Sequence, residues 1–202
     1  MSKRRVVLIF LCVLFLVILA VLGYKYANTL NRETYAEELN ISEEKVDKLT
    51  LKMVGDNLIH NTIYFAAKNE NGYNFDMLFE NVKDEIEEAD ISIINQETIF
   101  VKDPKRYSSY PTFGSPTEVG DSIVKAGFDV VAHATNHTLD KGVSGVNDTL
   151  SFWKEKYPDI EVLGIHENEE ESDITYIEKN NIKLSFVNYT YGLNGMNQLF
   201  FW

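Results

Sequence analysis

Two imidazoles, an amide, a carboxylate and a glycine fall within ten residues, His133-Ala-Thr-Asn136-His137-Thr-Leu-Asp140-Lys-Gly142, directly after the apolar run Phe128-Asp-Val-Val-Ala132. A buried strand that ends in such a cluster is where an α/β sheet builds its chemistry, because strand ends carry the crevice-forming loops. Three further apolar runs end the same way: Leu49 to Met53 runs into Gly55-Asp56, Ile91 to Ile94 into Asn95-Gln96-Glu97, and Ile160 to Leu163 into Gly164-Ile-His166. Carboxylates, an amide oxygen and imidazoles arriving from separate strands suit a hard-to-borderline divalent metal, Mn, Zn, Fe or Mg. Such an ion lowers the pKa of bound water or clamps a phosphoryl oxygen, while a histidine moves protons. Other chemistries lack their parts. There is no Gly-x-x-x-x-Gly-Lys-Ser/Thr loop, no Gly-x-Ser-x-Gly elbow and no cysteine besides Cys12.

Each residue also has a structural reading. Asp56 can close a turn after Gly55, His60 can pack beside the loop, and Glu97 can be a surface carboxylate. Asn136 can brace a turn and Asp140 can cap the next helix. His133 is expected to be structural or to support the site from behind, and His166, beside Glu167, Glu169, Glu170 and Glu171, to be either a solvated loop histidine or a ligand. The joint occurrence at successive strand ends is what favours a site.

The elements that must position these groups follow from periodicity. Strands are expected at 49–53, 91–94, 128–132 and 160–163, with a hairpin of 174–177 and 182–187 around Glu178 to Asn181. Phe75, Leu78, Phe79, Val82 and Ile86 recur at three and four residues and predict an amphipathic helix. A short helix is expected between Asn57 and Lys68. Ser115-Pro116 reads as the start of a helix that Gly127 stops, and a last helix is expected over 144–156. This order, strand and helix in alternation, is that of an α/β protein with a largely parallel sheet. Phe100 to Ser115 reads as a loop whose Lys102, Lys105 and Arg106 are first a solvated basic group and, in the alternative, a contact for an anionic substrate.

The amino terminus has a different character. Lys3, Arg4 and Arg5 precede the seventeen uncharged apolar residues Val6 to Leu22, a stretch of about 25 Å as a helix. Residues 1–23 are read as a cytoplasmic basic tip and an uncleaved transmembrane anchor, 24–48 as a polar stalk, and 49–202 as the domain, on the extracytoplasmic side. Without Lys3, Arg4 and Arg5 the formal charge of −12 becomes −15. A chain so acidic excludes a nucleic-acid partner, which requires clustered Lys and Arg.

Gly55-Asp56-Asn-Leu-Ile-His60, Asn95-Gln-Glu97, Asn136-His137-Thr-Leu-Asp140-Lys-Gly142 and Gly164-Ile-His166, in this order, resemble the bacterial capsule-synthesis proteins of the CapA type, associated with poly-γ-glutamate. The resemblance runs from about Leu49 to Asn194, with Thr135 where a second Asn is expected. It implies a calcineurin-like metallophosphoesterase-type α/β sandwich, of which this chain supplies the N-terminal part. It implies metal ligation by Asp56, Glu97, Asn136 and His137, proton handling by His60 or His137, and a metal-dependent hydrolase or transferase. The expected partners are the membrane, capsule-synthesis membrane proteins and an anionic polymer. Family members continue with further strands and histidines, whereas no His follows His166 here, so a truncated reading frame, half of a split gene or a degenerate member is expected. The rival reading is a noncatalytic assembly protein of a capsule-synthesis complex, with a vestigial site.

Overall fold

The computed structural model describes residues 14–30, 46–168 and 174–196. The chain divides into two units, Met1–Val46 and Asp47–Trp202. In the first, residues 14–30 are helical and expose their apolar side chains, Phe15, Leu16 and Leu22 among them. Residues 6–13 of the expected anchor and 31–45 of the expected stalk lie outside the described residues. Among the described residues no helix is long and apolar enough to cross a membrane.

The second unit is α/β. Its elements are β1 (Leu51–Asp56), α1 (Asn61–Ala67), the small hairpin β2 (Lys68–Asn69) and β3 (Gly72–Tyr73), α2 (Lys83–Glu87) and β4 (Ile91–Asn95). There follow α3 (Glu118–Ala126), β5 (Val130–Ala132), α4 (Gly142–Lys156), β6 (Glu161–Leu163), and a hairpin of β7 (Thr175–Lys179) and β8 (Ile182–Phe186). Strands β1, β4, β5 and β6 form one sheet in that order, and every pair in it is parallel. The helical crossovers between these strands are what parallel pairing requires.

Alternation along β4 assigns its two faces. Ile94 and Val131 join Phe75, Phe79, Ile86, Val119, Ile123, Phe128, Phe152 and Trp153 on the helical side. Ile91, Ile93, Val130 and Leu163 face the other way, where Leu49 and Ile177, Leu184 and Phe186 of the β7–β8 hairpin cover them. Both faces of β4 are therefore apolar and its sequence reads as a continuous buried run. The hairpin turns on Asn180 and Asn181, at φ 54° and 61°, the left-handed pair that a two-residue connection needs. A third cluster, Ile99, Leu139, Val146, Ile165 and Leu193, lies beneath the loops that follow β4, β5 and β6 and gives them a rigid seat.

Three expectations are corrected. The helix predicted from Phe75 to Ile86 is broken into a 3-10 turn, Asp76–Leu78, and the short α2. Its apolar positions still face the core, except Val82, because Asp76 is tied to Ser122 and Lys125 of α3 and Lys83 donates to the Lys125 carbonyl. These anchors hold the two ends of the segment to α3 and leave a turn between them. Ser115 is not a cap; its hydroxyl donates to Thr98 Oγ1 at 2.6 Å and α3 begins at Glu118. The last helix starts two residues early, at Gly142. Gly127 does stop α3, at φ 97°, a conformation L-residues disfavour.

Candidate functional site

At the end of β1 the register slips between Val54 and Asp56, so that Asp56 stands opposite Asn95. This bulge re-aims the carboxylate: Asp56 Oδ1 accepts from Asn95 Nδ2 at 2.6 Å. Beyond β4, Gln96 is fully buried and donates to Thr98 O and Oγ1 at 2.7 and 2.8 Å, while its Oε1 accepts from Asn57 at 2.6 Å. Glu97 follows, and its carbonyl accepts from Thr135 Oγ1 at 2.9 Å, which fastens it to the loop after β5. Burial, reinforced by the Asp56 carboxylate beside it, pushes the Glu97 carboxyl above its ordinary pKa, and His137 and His60 pull the other way. Asp56, Glu97, His137 and His60 thus share one electrostatic neighbourhood.

The loop after β5 is built around its own hydroxyls. Thr135 N donates to Thr138 Oγ1 at 2.8 Å, Thr138 Oγ1 donates to His133 O at 2.6 Å, and His137 N donates to Thr135 Oγ1 at 3.1 Å. These bonds turn His137 inward. Its Nδ1 lies 2.6 Å from Asp140 Oδ2, and its Nε2 faces Glu97 Oε1 at 3.7 Å. Asp140, expected as a helix cap, instead takes His137 and the backbone N–H of Phe113, the latter at 2.6 Å. Asn194 Nδ2 lies 2.8 Å from His137 Nδ1 and 3.3 Å from Asp140 Oδ1. One ring nitrogen cannot both donate to Asp140 and accept from Asn194. The carboxylate decides it: Asp140 Oδ2 accepts the Nδ1–H, Asn194 donates to Asp140 Oδ1, and Nε2 is the nitrogen that faces Glu97. Asn136 is exposed and donates to Asn194 Oδ1 at 3.0 Å.

His60 sits just before α1 with Nδ1 3.2 Å from Ser109 Oγ. Phe113 packs edge-on to both His60 and His137. His133 is structural, as expected: it is buried, Trp153 Nε1 donates to its Nε2 at 2.9 Å, and burial lowers its pKa to about 3. His166 lines a separate cleft of about 360 Å³ with Trp153, Tyr157 and Ile160, a cleft that none of Asp56, Glu97 and His137 lines. Of the basic loop, Arg106 is engaged by Asp148, Ser144 and the Lys141 carbonyl, and Lys102 faces Glu155 at 3.7 Å.

The donor chemistry of Asp56, Glu97 and His137 Nε2 suits a divalent ion: two carboxylates that repel each other stand before an imidazole whose far nitrogen is held by a carboxylate, the outer-shell pattern of metal-binding histidines. Among the described residues, however, no group of three His, Cys, Asp or Glu side chains is arranged to hold a metal ion as it stands. Sequence reading missed Gln96, Phe113 and Asn194. Asn194 is 54 residues from Asp140 and 57 from His137, and only its place before Gly195, at φ 50°, marks a turn.

An α/β sheet in which the parallel strands β1, β4 and β5 deliver Asp56, Glu97 and a carboxylate-held His137 to one end defines a protein with a strand-end site. More narrowly, the chain belongs to the family described as "Bacterial capsule synthesis protein PGA_cap", which matches residues 50–200. It is also 26% identical over 155 residues to "Capsule biosynthesis protein CapA" of Bacillus anthracis, a match over 74% of this chain. The match spans 36% of that relative's length.

Proposed function

We propose that this chain acts in the synthesis, export or attachment of an anionic capsule polymer such as poly-γ-glutamate, as a membrane-anchored protein with its domain on the extracytoplasmic side. Its fold is read as the N-terminal part of a calcineurin-like metallophosphoesterase-type sandwich. Its strand-end site is read as one wall of a metal-dependent hydrolase or transferase centre. The observation that carries this reading is the line Asp140, His137, Glu97, Asp56, a held imidazole facing a strained pair of carboxylates.

In this reading Asp56, Glu97 and His137 Nε2 would hold a divalent ion, with Asn136 beside them once it leaves Asn194. Bound there, the ion would polarise a phosphoryl or carbonyl oxygen and acidify a water. The chain's own groups do the rest. Asp140 fixes the tautomer and direction of His137, Ser109 holds His60, and His60 Nε2 can give or take a proton.

Isothermal titration of the detergent-solubilised full chain with Mn²⁺ and Zn²⁺, alongside capsule output of cells carrying Asp56→Ala or His137→Ala, tests it. Binding that both substitutions abolish, with loss of capsule, is expected. Equal metal affinity in wild type and His137→Ala overturns it.

The second reading, an assembly protein whose site is vestigial, is favoured by the absence of a ready three-ligand group among the described residues. Capsule output that survives both site substitutions and fails only when residues 1–23 are removed supports that reading.

A further inference from the structure

Phe113 is 1% exposed, and its ring is lodged between two imidazoles. The centroid lies 5.0 Å from that of His60 at an interplanar angle of 83°, and 4.7 Å from that of His137 at 82°. Edge-to-face pairs of this kind are directional, and a phenyl ring is a stiff spacer with two torsions. The backbone of the same residue donates to Asp140 Oδ2, the oxygen that also takes His137 Nδ1. One residue thus touches three members of the site, two by its ring and one by its main chain.

The loop that bears Phe113 is fastened at several points. Arg106 binds Asp148, Ser144 and the Lys141 carbonyl, and Tyr64 Oη shares its one proton between the Ser108 and Gly114 carbonyls at 2.9 and 3.0 Å. Ser108 and Gly114 exchange both backbone hydrogen bonds across the turn, and Ser109 Oγ meets His60. Phe113 is therefore not free to follow the histidines; they must follow it.

We infer that Phe113 is the positioning residue of this site: it fixes the separation of His60 and His137 and the seat of Asp140, so that both imidazoles face the Asp56–Glu97 pair as one unit. The inference rests on the reading of these groups as the working site. A core residue that merely fills volume would be replaced by leucine without moving either imidazole. A spacer that acts through directional ring contacts would not.

The chain has four histidines, His60, His133, His137 and His166, so the test is histidine ring cross-relaxation in the full chain in detergent micelles. Loss of the Phe113 ring current shifts nearby resonances whether or not the imidazoles move, so their contacts with other residues are read instead. In Phe113→Leu the cross-relaxation of the His60 ring with Ser109 and of the His137 ring with Asp140 weakens while that of His133 with Trp153 is kept, and Zn²⁺ affinity falls about tenfold to a hundredfold. Folded Phe113→Leu that keeps the Ser109 and Asp140 contacts overturns the inference. If Phe113→Leu does not fold, Phe113→Met is read in the same way, with the same two outcomes. A wild type that binds no Zn²⁺ sinks the metal reading, while the ring contacts still judge the spacer.

Discussion

Asp140 holds His137 by Nδ1 at 2.6 Å and leaves Nε2 pointing at Glu97. The carboxylate also takes the Phe113 N–H, so it joins the basic loop to the loop after β5. Asp140→Ala leaves two buried donors without an acceptor. The expected loss is about 2 to 6 kcal/mol by urea denaturation, because unsatisfied buried groups cost about 1 to 3 kcal/mol each. Asp140→Asn keeps one acceptor oxygen and should lose less.

Glu97 offers the opposite sign. Its folded pKa is raised by burial and by Asp56, so the folded chain binds more protons than the unfolded one above the ordinary carboxylate range. Stability therefore falls as pH rises through that window. Glu97→Gln removes the cost at neutral pH, and a higher melting midpoint than wild type is expected by calorimetry. Metal binding should be lost in the same variant, a trade of function against stability.

His133 makes the fold sensitive to acid. Its pKa is about 3 in the folded chain, against an ordinary value of 6.5, because the ring is fully buried. Below that ordinary value the unfolded chain takes a proton that the folded chain refuses. The contribution is complete above the unfolded pKa and is lost progressively as pH drops toward the folded one. From pH 7 to pH 5 the loss is about 2 kcal/mol by denaturant titration. His133→Gln should flatten that part of the profile.

Gly164 ends β6 at φ 80°, with Ala134 and Asn188 against it. A Cβ there would lie 2.4 Å from Asn188 Oδ1 and 2.5 Å from Ala134 Cβ. The Ala134 N to Asn188 Oδ1 bond of 2.7 Å, which ties the segment after β8 to the loop after β5, would be forced apart. Gly164→Ala should cost about 1 to 3 kcal/mol and speed amide exchange at Ala134.

The sheet and hairpin were legible because their signals are local: apolar runs, turn residues, Gly127. The site was legible only as strand exits. Asp56, Glu97 and His137 lie close in the fold because parallel strands end together, which periodicity can express. That Asp140 would hold His137 rather than cap α4, or that Ser115 would bond Thr98, depends on contacts between distant loops. The broken helix at 75–86 failed for the same reason: Asp76 and Lys83 are held by α3, and no spacing within the segment reports that. Asn194 and Phe113 are ordinary in their local sequence and acquire a role only from what the fold sets beside them.

The parallel register of β1, β4 and β5 has a consequence for how this site tolerates change. Each strand advances about 3.3 Å per residue and alternates its faces, so one residue added inside a strand moves the group at its end by that distance and turns it over. The neighbouring strands would hold their own groups where they were. Strand length is thus a stricter constraint on this site than strand composition: Ile93 can become valine at small cost, while a single inserted residue between Ile91 and Asn95 would carry Glu97 away from Asp56 and His137.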